Sequence, residues 1–179
     1  MVSVLRQYFG SEDRMSLQRS SLKWDRDPNV SKVFIDAEDN QDFRDGDTGP
    51  RLLVDLENQG FPRDSIGDRN DYDPLSGQEN FTMRMESAYL IEAWSNKKLE
   101  AWTMADEVRI FIHTYRMVIA HQYGFNFLRP SQVVKPVKSR VYEDYWISRI
   151  IVSFDISDNW GAMQEQLKAG PITLDLQAS

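Results

Sequence analysis

The sequence contains no cysteine, so neither a disulfide bond nor a thiolate metal site can form. It has no apolar stretch close to the roughly 18 residues that a membrane-spanning helix requires. It also has no run of lysine and arginine, and its formal net charge is −7. Dedicated binding to the phosphate backbone of nucleic acids normally needs a basic face, so that class of protein is disfavoured.

The excess of negative over positive charge is confined to the first part of the chain. Residues 1–80 carry 10 Lys and Arg against 17 Asp and Glu, whereas residues 81–179 carry 11 of each. Apolar residues make up 41% of the chain and aromatic residues 12%. These proportions predict a folded domain with a real core and an acidic first part.

The acidic stretches raise the question of a metal site. A calcium-binding loop of the helix-loop-helix type would place ligands at Gln41 and Phe43 if Gly46 held the sixth position, and neither is a carboxylate. The second stretch offers Asp68, Asn70 and Glu79, but Tyr72 and Asp73 occupy its fifth and sixth positions. Solvated loops are therefore the favoured interpretation, and we expect no metal and no cofactor.

Catalytic signatures are also missing from the sequence. His113 and His121 are eight residues apart without a ligand spacing such as HExxH, and no serine lies in a G-x-S-x-G elbow. No glycine-rich phosphate loop is present. We expect a protein that is not an enzyme, although a pair of carboxylates would leave no motif.

Periodicity predicts a series of strands and one long helix. The segments with strand character and the short first helix are these: a helix over 2–8, and strands over 30–37, 51–59, 81–95, 131–140 and 145–156. Pro136 suits an edge strand or a bulge. The glycine- and aspartate-rich segments 38–50 and 60–80 predict loops, of which the second is long, and we expect residues 60–80 and the N-terminal 25 to be mobile.

The period changes from two to about 3.6 after Ser95, which can cap a helix that begins near Asn96 and ends near Gly124. The side chains predicted to face the core recur at steps of three and four: Leu99, Trp102, Ala105, Val108, Phe111 or Ile112, Tyr115, and Val118 or Ile119. This predicts one helix of about seven turns.

The last strand has an unusual second face. Its even positions are apolar apart from Ser148, and one face can therefore enter a core. The odd positions are mixed: Tyr145, Ile147, Arg149, Ile151, Ser153 and Asp155. A face that is only partly polar needs a cover, so we interpret Tyr145, Ile147, Arg149 and Ile151 as candidate interface residues. Trp94 and Trp160, at the ends of elements, are candidate interface anchors.

The predicted fold class is α+β: a two-layer sandwich of a mostly antiparallel sheet with one long helix packed on one face, plus long loops. The predicted organisation is an N-terminal extension over 1–29, the α+β domain over 30–160 and a C-terminal tail over 161–179. The tail is expected to hold one or two helical turns and then an extended "ITLDL" segment.

Residues 50 to 160 resemble the tail terminator proteins of long-tailed bacteriophages. The resemblance rests on "PRLLVDLENQG", on Gly-Gln-Glu opening "FTMRMESAYLIEAWS", and on the lysine-rich helix start "NKKLEAWTMADEVRIFI". "PSQVVKPV" and "DYWISRIIVSFDIS" complete it. It covers about 110 of the 179 residues and is a pattern of element order, while the segment before residue 30 and the length of the acidic segment 60–80 depart from it.

The resemblance implies a homo-oligomeric ring, usually of six copies, that caps the tail tube and joins the tail to the head-side connector. Its implied partners are the tail tube protein, the connector or stopper protein and the tail sheath, with DNA passing through the lumen without specific binding. The implied locations are the neck of the virion and, during assembly, the host cytoplasm. No enzymatic activity, cofactor or membrane is implied. In a ring, the neighbouring subunit or the tube would cover the second sheet face.

Three alternatives remain open from the sequence. Another phage neck or tube protein would share the structural role, although a tube protein usually has more β-structure and a long hairpin arm. A small metal-assisted hydrolase could use the acidic loops. A cellular adaptor with the same sandwich fold is compatible with every residue.

Overall fold

A computed structural model describes residues 1–11, 19–37, 49–60, 68–73, 78–140 and 142–163, without the side chains of residues 57–60, 68–73, 78–84 and 158–163. Its elements, in chain order, are α1 (Val2–Gly10), β1 (Phe34–Ala37), β2 (Arg51–Gly60), β3 (Asp68–Asp73), β4 (Gln78–Ser95), α2 (Lys98–Tyr123), β5 (Phe125–Pro130), β6 (Val137–Lys138) and β7 (Trp146–Met163). The chain divides into two compact units: Met1–Gly60 with Glu86–Ile156, and Phe61–Met85 with Ser157–Ser179.

Within the described residues of the first unit, six strands form a mixed, mostly antiparallel sheet. Their order is β1-β2-β4-β7-β5, and β6 also pairs with β7. The outermost strand β1 is parallel to β2, whereas the pairs β2–β4, β5–β7 and β6–β7 are antiparallel. The helix α2 contributes to the same core as the sheet, which confirms the predicted α+β sandwich.

Alternation along the strands places one set of side chains in the main core. Leu52 and Val54 of β2 lie opposite Ala93 and Ile91 of β4, and all four are buried. In β7 the even positions Ile150, Val152 and Phe154 are buried in the same core. Ser148 shares this face without an unsatisfied hydroxyl, because its Oγ donates to the carbonyl of Val134 at 2.8 Å. This bond explains the one polar position on the apolar face.

The long helix has the predicted length and slightly different ends. It begins at Lys98, with Lys97 as the N-cap residue. Ser95 acts two residues earlier: its hydroxyl accepts the Lys97 N–H and donates to the carboxyl group of Glu100. At the other end Gly124 has a φ of 72°, the left-handed conformation that glycine adopts without steric cost and that commonly ends helices.

The predicted core face of α2 is wrong for three positions: Leu99 is 73% exposed, Trp102 40% and Tyr115 42%. Ala105, Val108, Phe111 and Ile112 are buried as predicted, and of the alternatives Val118 and Ile119 it is Ile119 that is buried. The remaining buried apolar positions of the helix are Ala101, Met104 and Ala120. Trp102 follows Ala101 by one residue, a turn of about 100° around the axis, and so points away from the centre of the packing stripe. The alanines of that stripe, Ala101, Ala105 and Ala120, lie beside larger buried side chains such as Met104 and Ile112.

The N-terminal segment belongs to the main core, which contradicts its expected mobility. Leu5 and Phe9 of α1 are fully buried, and Leu22 is also buried in the same cluster. Tyr8 stacks on Phe111 of α2 with ring centroids 4.0 Å apart. The helix α1 lies where the sequence predicted it. The sequence pattern of so short a helix did not predict that α1 packs beside α2.

Glu107 of α2 fixes this docking. Its side chain is fully buried, and one carboxyl oxygen accepts the backbone N–H groups of Arg19 and Ser20 at 3.1 and 2.7 Å. The other oxygen accepts the hydroxyl of Tyr8 at 3.2 Å. A buried acidic group is tolerated when donors surround it in this way. The neighbouring Asp106 binds Arg109 and Arg19.

The loop and strand limits differ from the predicted ones in several places. The long loop predicted over 60–80 contains β3, which pairs with the start of β4. β1 begins at Phe34 and not at Val30, and β7 continues to Met163 and not to Ile156. Residues 38–48, most of the other predicted loop, and residues 164–179, most of the predicted tail, lie outside the described residues.

β5 was not predicted, because "FNFLRP" has no clear alternation. It follows Gly124 directly and pairs with β7 in a register interrupted between Phe125 and Phe127. The predicted strand 131–140 reduces to β6, although Val134 also donates its N–H to the carbonyl of Arg149. Both lie beside β7, in the edge position that Pro136 indicated.

The corrected packing face of α2 predicts different costs for two substitutions on one helix. Ile112→Ala should lower the free energy of unfolding by roughly 2–5 kcal/mol, since Ile112 is fully buried. Trp102→Ala should cost clearly less despite removing a larger side chain, since Trp102 is 40% exposed. Urea unfolding of both variants tests this, and an equal or larger loss for Trp102→Ala would contradict it.

Removal of the Glu107 side chain is expected to lower the free energy of unfolding by about 3 kcal/mol in Glu107→Ala, because buried donors lose their acceptor. Tyr8→Phe, which removes one donor, should cost about 1 kcal/mol. Glu143→Ala is the control, since Glu143 is exposed and should change stability by less than about 0.5 kcal/mol. Equal denaturation midpoints for Glu107→Ala and the control would refute this role of Glu107.

Candidate interaction surface

The sheet has a second face, opposite the one that packs against α2, and we call it the outer sheet face. It is formed by the side chains that alternate with the core positions. Leu53 lies opposite Glu92, and Arg51 lies opposite Trp94, in the register of β2 and β4. In β7 the corresponding positions are the odd ones. The outer sheet face is defined here by Arg51, Leu53, Glu92, Trp94, Ile147, Arg149 and Ile151.

A small apolar cluster covers one end of this face. Leu53, Trp94, Tyr145 and Ile147 are all buried and form a core of their own, separate from the main one. The Trp94 ring lies 6.1 Å from the ring of Tyr145 and 6.0 Å from that of Tyr142. A turn brings the tyrosines there, since the Tyr145 N–H donates to the Tyr142 carbonyl at 2.9 Å.

Glu92 is the polar centre of the outer sheet face. One carboxyl oxygen accepts the indole N–H of Trp94 at 2.8 Å, and the other accepts Nε of Arg149 at 2.6 Å. The Glu92 side chain is only 7% exposed, while that of Arg149 is 45% exposed. Because Arg149 is nearly half in water, this ion pair adds little stability through charge attraction alone. Its main effect is to hold Trp94 and Arg149 in fixed positions.

The structure brings four of the six candidate interface residues onto the outer sheet face and packs a fifth, Tyr145, against it, but it divides these five into two kinds. Trp94, Tyr145 and Ile147 are buried within their own chain. Arg149 and Ile151, the latter 37% exposed, present side chains to solvent. The sixth, Trp160, lies in β7, and its side chain is outside the described part of the chain. The buried three therefore support the surface, and the exposed two could contact a partner directly.

Sequence reasoning did not identify Glu92 as a candidate site residue. Two signals pointed to it: Trp94 two residues later on the same face, and an unpaired arginine in the odd positions of β7. Neither signal specifies a contact between residues that are 57 positions apart.

Other sites considered from the sequence remain without a described geometry. Among the described residues, no group of three or more His, Asp or Glu side chains could hold a metal ion. The side chains of Asp68, Asn70, Asp73 and Glu79 lie outside that part of the chain, as do residues 38–48. His113 and His121 are exposed on α2. In the described ranges no helix is both long and apolar enough to cross a membrane.

Comparison with known protein families gives no match, and a search among curated proteins gives none either. The function must therefore be argued from the residues and their geometry.

The arrangement around Glu92 generates a stability prediction. Glu92→Ala should lower the free energy of unfolding by roughly 1–3 kcal/mol, because the buried indole N–H of Trp94 loses its acceptor. Arg149→Ala should cost less, since the arginine is nearly half exposed and Glu92 keeps its bond to Trp94. Thermal unfolding together with Trp fluorescence measures both, and a larger loss for Arg149→Ala would reverse the assigned order.

Proposed function

We propose that this chain is a structural virion protein of the tail terminator kind, which forms a ring at the head-proximal end of a bacteriophage tail. In this role it caps the tail tube, contacts the tail tube protein and the head-side connector, and acts by contact without catalysis or a cofactor. The observation that carries the proposal is the outer sheet face, where an exposed apolar side chain and an arginine stand on a rigid, internally packed support.

The fold supports this proposal through the element order on which the resemblance rests. An early strand, a long strand, one long helix and a final long strand occur in the order that residues 50–160 suggested. The helix α2 packs on one side of the sheet, and among the described residues Arg149 and Ile151 stay partly exposed on the other side. The sandwich thus has one internal face and one face that is suited to assembly.

The exposed part of the outer sheet face suits a subunit contact. Ile151 supplies apolar area, and Arg149 is held by Glu92 in a fixed direction. A side chain that is already ordered loses little conformational entropy when it binds. A ring needs a heterologous contact, in which this surface meets a different surface of the next copy and the rotation closes.

The charge of the chain fits a channel for DNA. A formal net charge of −7 gives the phosphate backbone no general attraction. DNA could therefore pass through the lumen of such a ring without binding to its wall.

Substitution of Ile151 tests the proposal. Ile151→Asp should weaken ring formation and binding to preassembled tail tubes by roughly tenfold or more, since a charge would replace apolar contact area. Leu99→Asp is the matched control: Leu99 is 73% exposed on α2, in the other layer of the sandwich, and should leave assembly unchanged. Sedimentation velocity, negative-stain imaging and co-sedimentation with tubes provide the readouts.

Two results would count against the proposed function. One is a wild-type protein that stays monomeric at high concentration and also fails to bind tail tubes. The other is a phage that lacks this protein and still assembles tails of normal length that join heads.

A further inference from the structure

A groove lies between the last three turns of α2 and the strand β5, and it encloses about 840 Å³. The two walls run side by side because only Gly124 separates the helix from the strand. Four basic side chains line the groove: His113, Arg116, His121 and Arg129. Met117 and Phe127 add apolar surface, and both are exposed. Among the described residues, none that lines it is acidic.

The basic side chains of this groove differ from four other arginines of the first unit, which pair with carboxylates. Arg6 pairs with Asp36, both Arg19 and Arg109 pair with Asp106, and Arg149 pairs with Glu92. Within the described part of the chain, none of the four groove residues has an acidic partner. A groove with uncompensated positive charge and apolar positions is complementary to an acidic segment that also carries an apolar side chain.

A segment of that description follows β1 directly. Residues 38–48 hold five acidic residues and one arginine, a net charge of −4, with Phe43 near the middle. They lie outside the described residues, but they follow β1 directly. β1 and β5 are the two ends of the strand order. The basic groove and the start of the acidic segment are thus at opposite edges of one sheet.

We propose that the α2–β5 groove binds the acidic segment 38–48 of a second copy of this chain. Each subunit would then offer a basic groove at one sheet edge and an acidic segment at the other, which is a head-to-tail contact. This inference rests on the proposed ring and identifies one of its contacts. Phe43 would occupy the apolar part of the groove, and the flanking carboxylates would face Arg116 and Arg129.

Nucleic acid is the competing occupant, since phosphate groups also bind arginine. Two observations favour the second copy. The chain as a whole is acidic, so it repels a polyanion at long range. The apolar side chains Met117 and Phe127 in the groove are matched by an aromatic residue in the segment and by nothing on a phosphate backbone.

A charge-swap experiment tests the inference. The first variant, Arg116→Glu with Arg129→Glu, reverses the charge of the groove. The second, Asp42→Lys with Asp45→Lys and Asp47→Lys, changes the net charge of the segment from −4 to +2. Arg116 and Arg129 are exposed, so we expect the fold to be kept, and circular dichroism and thermal unfolding check this. Lys138→Glu with Arg140→Glu is the control, because it makes the same change of charge at exposed positions outside the groove.

Sedimentation velocity at low salt gives the main readout. Each reversed variant alone should need a roughly tenfold or higher concentration for half-association, because like charges would meet. An equal mixture of the two should associate like the wild type, since each groove then meets a segment of opposite charge. The control variant should associate like the wild type.

A labelled peptide of residues 36–49 provides a second readout by fluorescence anisotropy. It should bind the wild type and not the groove-reversed variant, and a peptide with the same residues in shuffled order should bind more weakly. The inference is overturned if the groove-reversed and the segment-reversed variants each associate like the wild type. It is also overturned if the equal mixture of the two variants stays dissociated. The inference is also overturned if the wild type neither associates nor binds the peptide. It is overturned as well if reversal of the groove charge abolishes binding to duplex DNA and leaves self-association unchanged.

These outcomes separate the inference from the proposed function. If the groove-reversed variant still forms rings or still binds tubes, the groove contact is contradicted and the tail terminator role is not. A protein that binds the peptide but never binds tail tubes would support the groove contact and contradict the tail terminator role.

Discussion

The fold of the first unit depends on one buried acidic side chain. Glu107 accepts two successive backbone N–H groups, of Arg19 and Ser20, together with the hydroxyl of Tyr8. These bonds attach the N-terminal segment to a fully buried side chain of α2, so their loss would leave several donors unpaired at once. The apolar contacts of α1, among them the stack of Tyr8 on Phe111, add to this attachment. Glu107 therefore determines where the first turns of the chain lie on the sandwich.

The two faces of the sheet differ in what their side chains bury and in what they leave exposed. On the inner face, the sheet and α2 bury side chains that are almost entirely apolar. On the outer face, a smaller cluster around Trp94 supports a carboxyl group that orients an arginine toward solvent. The second arrangement buries less apolar area and leaves Ile151 partly exposed. Such a surface is stable in a single subunit and still retains apolar area that another molecule could bury.

The sequence predicted those features that depend on local periodicity. The period change at Ser95, the glycine at the end of α2 and the long final strand all appear close to their predicted positions. The errors concern contacts between distant residues. Trp102 was assigned to the core because it falls in the series of three- and four-residue steps that starts at Leu99, yet the packing stripe passes through Ala101 and Ala105. The roles of Glu92 and Glu107 depend on partners 57 and about 88 positions away, which no local pattern encodes.

Gly124 has a consequence for the binding properties of the molecule. This one residue, with a φ of 72°, reverses the chain between α2 and β5, and a Cβ atom there would meet nothing within 4 Å. The turn is therefore limited by backbone torsion and not by crowding, so asparagine should be the best tolerated replacement. Because the helix and the strand are connected so tightly, their separation is fixed when the subunit folds. A ligand between them would meet a preorganised cleft, and the entropic cost of assembling its walls would already have been met during folding.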